Sequence, residues 1–77
     1  MAWEHAETWI VRTKKEDSAF LYAVVEANEG VATVSTLAHS PGDPERVVEL
    51  LVPASRAEDA RRMIESLGSV VLSVERR

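Results

Sequence analysis

The positions of apolar and polar residues along the chain predict an alternation of strands and helices. Two stretches place apolar residues three and four positions apart, as on one face of a helix, and they cover residues 17–30 and 55–68. Four other stretches are rich in β-branched and aromatic residues, which favour strands, and they cover residues 8–13, 31–37, 46–52 and 69–75. The predicted order of elements is βαββαβ.

Each predicted helix has one stripe of residues that faces inward. Asp17 can cap the first helix, and Gly30 and Gly68 can end the first and the second. The stripe of the first helix consists of Phe20, Leu21, Val24, Val25 and Asn28. The stripe of the second helix consists of Ala57, Ala60, Ile64 and Leu67, with Met63 at its edge.

A βαββαβ chain without crossing connections folds most simply as a ferredoxin-like sandwich. This α+β fold has a four-stranded antiparallel sheet in the order 4-1-3-2 and both helices on one face. A length of 77 residues suits one domain. We therefore expect a single domain over residues 1–77, in which residues 1–7 form an N-terminal tail.

Alternation along the strands assigns residues to the two faces of this sheet. The residues that we expect to face the helices from strands two, three and four are Ala32, Val34, Thr36, Val48, Leu50, Val52, Val70, Leu72 and Val74. In strand one either Ile10 or the pair Trp9 and Val11 can be buried, and we choose Ile10, flanked by Thr8 and Arg12. The opposite face is then half apolar, and we expect it to form an interface through Trp9, Val11, Leu37, Leu51 and Val71.

Composition narrows the classes of partner. Thirteen Asp and Glu against nine Lys and Arg give a net charge of -4, which argues against binding to nucleic acid or to anionic membranes. The absence of cysteine excludes disulfides and thiolate zinc sites. We read no signal peptide and no membrane-spanning stretch, so we expect a cytoplasmic protein. Because so small a core is marginal, a partner subunit is the stabilising device that we favour.

The chain offers few groups for catalysis or metal binding. His5 and His39 are the only imidazoles, and their spacing from carboxylates matches no compact metal motif, so we predict no metal and no cofactor. No nucleophile motif is present, and we assign no catalytic residue. If the chain is nevertheless an enzyme, the candidate acid–base residues are Glu26, Tyr22, His39 and Glu49.

The stretch from Ala19 to Leu37, followed by residues 47–53, resembles a family of short bacterial proteins called domain of unknown function 4911. In that family a helix ends with Glu and Gly before an apolar strand that closes on hydroxyl residues. Here Glu26, Gly30, Ser35 and Thr36 occupy those places. The resemblance covers about residues 8–75 and implies no known activity.

The same stretch is similar, more weakly, to ACT domains, which are regulatory modules that pair and bind amino acids between subunits. The ligand loop of ACT domains usually carries Gly, whereas residues 14–17 of this chain contain none. If the chain binds a ligand, we expect it near the start of helix one and strand two, at Lys14, Asp17, Ser18, Thr33 and Ser35.

Three functional hypotheses follow. The first is a non-catalytic, ACT-like module that forms a homodimer and binds a small molecule or a protein partner. The second is a small dimeric ferredoxin-like enzyme of the isomerase or monooxygenase type. The third is an adaptor in which strand two pairs with a strand of a partner.

Overall fold

A computed structural model of the chain describes residues 5–28, 30–36 and 42–77. The strands are β1 (Ala6–Lys14), β2 (Thr33–Thr36), β3 (Glu45–Pro53) and β4 (Val71–Arg76). The helices are α1 (Ser18–Ala27) and α2 (Ala57–Leu67), and short 3₁₀ turns cover Lys15–Asp17, Ala54–Arg56 and Gly68–Val70. The predicted α+β class and the βαββαβ order are confirmed, with bounds shifted by a few residues.

The strands form one antiparallel sheet in the order β2-β3-β1-β4, which is the predicted order read from the other edge. β1 and β3 are the central pair, and their register places Trp9 opposite Leu50 and Val11 opposite Val48. β2 and β4 are the edge strands. The predicted tail is too long, because Ala6 and Glu7 already belong to β1.

One buried cluster joins both helices to one face of the sheet. Its members are Trp9, Val11, Leu21, Val25, Val31, Val48, Leu50, Val52, Ala60, Met63, Ile64 and Leu67. The predicted inward residues of β3 and α2 are confirmed by this cluster. Ala32, just before β2, and Val34, within β2, are half-buried and pack against it, as predicted.

The predicted choice of faces in β1 is wrong. Trp9 is 1% exposed and Val11 is 0% exposed, and both lie in the core rather than on an interface. Antiparallel neighbours that oppose each other share a face, so the register with Leu50 and Val48 turns Trp9 and Val11 toward the helices. Ile10 lies on the other face, opposite Glu49, and is 7% exposed, so its predicted burial is confirmed although its predicted face is wrong.

Two further burial predictions fail at the margins of the core. Phe20 was expected to face the core but is 56% exposed. The buried residues of α1 are Leu21 and Val25. In β4 the pairing with β1 shifts register next to Thr13, so Val71 rather than Leu72 opposes Thr13 and packs against the core. Leu72 and Val74 are both exposed on this edge strand, although Val74 opposes Val11 and so lies on the predicted face.

A tight turn connects α1 to β2. The Asn28 N–H donates to the carbonyls of Val24 and Val25, and its side-chain Nδ2 donates to the Val24 carbonyl at 2.8 Å. Gly30 then adopts a φ of 84°, which a residue with a Cβ rarely tolerates. Val31 follows as a buried anchor, 5% exposed. None of the described helices is both long and apolar enough to cross a bilayer.

Neighbouring leucines provide a test of the two sheet faces. Leu50 is fully buried and Leu51 is 41% exposed. We expect Leu50→Ala to lower the free energy of unfolding by about 2–5 kcal/mol, because it opens a cavity in the core. Leu51→Ala should change it by only about 0.5 kcal/mol.

Urea unfolding monitored by circular dichroism measures both variants. A domain of this size has little stability to lose, so Leu50→Met, which conserves volume, serves as the variant that stays folded. If Leu51→Ala costs as much as Leu50→Ala, the assignment of faces is wrong.

Candidate functional site

A groove of ≈ 350 Å³ lies between the C-terminal half of α1 and β2. A smaller depression of ≈ 200 Å³ adjoins it, shares part of its lining and reaches Pro53. The lining residues of the larger groove are Val25, Glu26, Gly30, Ala32, Thr33 and Val34. This groove is the candidate site for a ligand or a partner.

The local sequence explains why the surface is concave here. Val25 is buried and Val34 is half-buried, so they provide an apolar base. Gly30 and Ala32 have little or no side chain and leave the space above that base empty. Glu26 is the charged residue of the lining, and its exposed position gives the rim one negative charge.

The outer edge of β2 borders the groove. As an edge strand, β2 pairs only with β3 among the described residues, and an edge strand presents unpaired N–H and C=O groups on its other side. Residues 30–36 contain no charge and no proline. The groove therefore combines apolar side chains with main-chain groups that can pair with an extended segment.

The structure separates the predicted ligand residues into two groups. Lys14, Asp17 and Ser18 lie where β1 ends and α1 begins, and the Ser18 Oγ donates to the Lys15 carbonyl at 2.8 Å. Ser18 is about 12 Å from Glu26 along the helix axis. The start of α1 is thus remote from the groove.

The second group lies on β2. Thr33 lines the groove, while Ser35 is exposed and opposes Glu49. The level of Ser35 on the sheet is about 13 Å along the strands from the level of Lys14, which opposes Glu45. The five residues therefore do not form one site, although Thr33 belongs to the groove.

The candidate acid–base residues do not converge either. Glu26 is at the groove, whereas Glu49 lies beside Ile10 on the sheet face away from the helices. The Tyr22 hydroxyl is buried without a hydrogen-bond partner among the described residues. Its burial raises the pKa of Tyr22, and the positive charge of Arg46 acts in the opposite direction. His39 lies outside the described residues.

The face away from the helices is mostly polar, so the prediction of a half-apolar face is wrong. The core contains Trp9 and Val11, and Val71 packs against it. Leu37 lies outside the described residues. Leu51 is the predicted interface residue that stays on this face and exposed. The residues that register places beside it are Thr8, Ile10, Arg12, Lys14, Thr33, Ser35, Glu45, Val47, Glu49, Ser73 and Glu75.

Sequence reasoning missed a cluster that ties the first strand to the last. Glu7 Oε1 accepts hydrogen bonds from Trp9 Nε1 at 3.1 Å and from Arg76 Nη2 at 2.7 Å. The Arg76 guanidinium also lies over the Trp9 ring, 4.7 Å from its centre. Hydrogen bonds from Arg76 first, and then from Trp9, hold the pKa of Glu7 below its ordinary value of 4.5. We assign this cluster a structural role, because it covers the core residue Trp9 and lines neither of the two depressions beside β2.

The described residues contain no group of three His, Asp or Glu side chains that could hold a metal ion. His5 lies just before β1, and its carbonyl accepts a hydrogen bond from the Ala54 N–H at 2.8 Å. Asp43 Oδ1 accepts from the N–H of Glu45, and Glu45 pairs with Arg12 at 3.5 Å.

The chain was compared with family models, with curated proteins and with solved structures, and none of the three comparisons found a match. The resemblances to the uncharacterised bacterial family and to ACT domains therefore remain predictions.

We expect the Glu7 cluster to make the free energy of unfolding depend on pH in the acid range. The lowered pKa means that the ionised carboxylate stabilises the folded state above pH 4.5, and that this contribution disappears as the pH falls through the lowered value. We expect Glu7→Gln to unfold more easily than the parent chain at pH 7, with a difference that shrinks toward pH 3. Unfolding by urea across this pH range measures it.

Glu75→Gln is the matched control. Glu75 is exposed on β4, and its ion pair among the described residues is with the Arg77 side chain, at 3.5 Å, so its loss should change the pH profile little. Identical acid profiles for Glu7→Gln and the parent chain would contradict the role of the cluster.

Proposed function

We propose that this chain is a non-catalytic, ACT-like module that self-associates and binds a small ligand or a protein partner. The observation that carries the proposal is the outer edge of β2, which has no strand partner among residues 5–28, 30–36 and 42–77, beside the groove of ≈ 350 Å³. An unpaired strand edge next to an apolar groove is a surface that a second chain can cover with main-chain hydrogen bonds and side-chain packing together.

The type of fold is part of the same proposal. The element order, the order of the strands and the joining of both helices to one face support a ferredoxin-like sandwich. In such a sandwich the sheet can be continued across an edge without disturbing the helices. The small size of the core is a further reason to expect that a second subunit contributes stability.

The distribution of polar groups supports binding rather than catalysis. General acid–base catalysis needs a titratable side chain within hydrogen-bond reach of the proton that it transfers, and an enzyme commonly combines an acid with a base. Among the described residues the groove offers one carboxylate, that of Glu26, while the Tyr22 hydroxyl is buried and Glu49 lies on the other face of the sheet. A cytoplasmic location belongs to this proposal as an expectation from sequence.

Self-association is tested by sedimentation velocity of the full chain from low to high micromolar concentration. We expect the apparent mass to rise from that of one chain, 8.5 kDa, toward twice that value. The dimer should be weak, because a single short edge strand buries less surface than a standard interface. A mass that stays at one chain throughout the high micromolar range would refute the proposal.

A further inference from the structure

We propose that the groove between α1 and β2 binds a small aliphatic amine, with the ammonium group at Glu26 and the alkyl group over the apolar base of the groove. The inference rests on the ligand binding proposed above, and it names the class of ligand. Neutral, anionic and zwitterionic molecules of the same size should bind less tightly.

Glu26 has no cationic partner in the part of the chain that the structure describes. The arginine side chains form ion pairs with other acids or, at Arg46, hydrogen bonds with backbone carbonyls. The acids in these ion pairs are Glu7, Glu45, Glu58, Asp59, Glu65 and Glu75. The two lysines, Lys14 and Lys15, lie beside the start of α1, at the end remote from Glu26. The carboxylate in the groove is therefore available to a cation from outside the chain.

The end of α1 adds to the negative potential beside Glu26. The C-terminal end of a helix carries a partial negative charge, which favours a nearby cation and disfavours a nearby acid. Glu26 is the last residue but one of α1, and the last turn of this helix contains no basic residue. An ammonium group bound here would meet a carboxylate and a helix end that both favour positive charge.

The rest of the lining selects an apolar body. Val25 and Val34 form the base of the groove, Ala32 adds a methyl group, and Thr33 contributes a hydroxyl group. The smaller depression continues toward Pro53, and its described lining contains no charged residue. A volume of ≈ 350 Å³ is at the lower end of the range of small-molecule sites, which is about 300–1,000 Å³. The occupant that suits this groove is a compact molecule with one positive charge.

The same lining disfavours a free amino acid. The described residues that line the two depressions include no arginine, lysine or histidine, so no cationic side chain is present to pair with the carboxylate of such a ligand. That carboxylate would instead lie near Glu26, where like charges repel each other. We therefore expect the groove to prefer an amine over the amino acid with the same side chain.

Compounds that share one alkyl group separate the effect of charge from that of shape. They are 3-methylbutylamine, 3-methylbutanol, 3-methylbutanoate and leucine, which are cationic, neutral, anionic and zwitterionic at pH 7. Each is titrated into the nitrogen-15-labelled full chain, and the amide resonances of Val25, Glu26 and Thr33 are followed by NMR. One protein concentration is used throughout, so that self-association affects all four titrations equally.

We expect 3-methylbutylamine to bind in the millimolar range, because so small a ligand buries little surface. Its dissociation constant should be about fivefold to tenfold lower than that of 3-methylbutanol, because an exposed carboxylate and a helix end each contribute modestly. The anion should cause no saturable shift, and leucine should bind less tightly than the amine.

Leucine or the alcohol binding as tightly as the amine would overturn the preference for an amine, while the proposed ligand binding stands. If none of the four compounds shifts these resonances, the amine site is refuted, and self-association still stands or falls by sedimentation alone.

Glu26→Gln tests the carboxylate itself, and Glu16→Gln is the matched control. Both variants remove one negative charge from an exposed acid, but Glu16 lies at the other end of α1, about 15 Å from Glu26 along the helix axis. We expect Glu26→Gln to raise the dissociation constant of the amine to that of the alcohol, and Glu16→Gln to leave both constants unchanged. Equal effects of the two variants would show that net charge attracts the amine, and would overturn the site.

A lysine side chain of a partner protein carries the same ammonium chemistry as a free amine. Nα-acetyl-lysine methylamide, which presents this side chain between two peptide groups, distinguishes the two sources. We expect it to bind less tightly than 3-methylbutylamine, because its peptide groups would lose water beside an apolar lining. Tighter binding of the lysine derivative would overturn the free amine as the ligand and would favour a protein partner.

Discussion

The pairing of β1 with β3 is the constraint on which the rest of the structure depends. This register sets Trp9 beside Leu50 and turns the largest buried side chain toward the helices. Burying an aromatic side chain removes roughly 200 Å² from water, which is worth about 5 kcal/mol before entropy is counted. In a domain with so small a core that contribution decides which face of the sheet the helices cover. A shift by one residue would turn Trp9 and Val11 away from the helices and Ile10 toward them.

The same constraint determines what the two edges can do. Because β1 and β3 are central, β2 and β4 are left at the rims of the sheet. The last strand is held by Thr13, whose Oγ1 donates to the Val70 carbonyl at 2.7 Å, and by the Glu7–Arg76 contact. β2 is held by Val31 and by its ladder with β3, and the small residues Gly30 and Ala32 leave the groove beside it. The central position of β1 and β3 thus leaves two different edge strands. β4 is held by side-chain contacts, whereas β2 has no strand partner on its outer side among the described residues.

The strongly periodic parts of the chain were predictable. α2 has charged residues on one side and buries Ala60, Met63, Ile64 and Leu67 on the other, so its stripe was correct. β3 alternates cleanly and was also correct. By contrast, Trp9, Ile10 and Val11 are three consecutive apolar residues, and alternation alone cannot say which set is buried. The register shift in β4 depends on its pairing with β1, which no local pattern encodes.

The groove could be found from sequence only in part. Gly30 was recognised as a helix end, but the space beside it depends on how α1 crosses β2, and that is a tertiary property. Glu7 and Arg76 are 69 positions apart, so no local sequence pattern could predict their contact. The Arg77 N–H donates to the Thr8 carbonyl at 2.8 Å, which brings the first and last strands together at one end of the sheet. β4 lies about 14 Å across the ladder from β2, so a fluorophore or affinity tag attached after Arg77 would begin at the opposite rim of the sheet from β2.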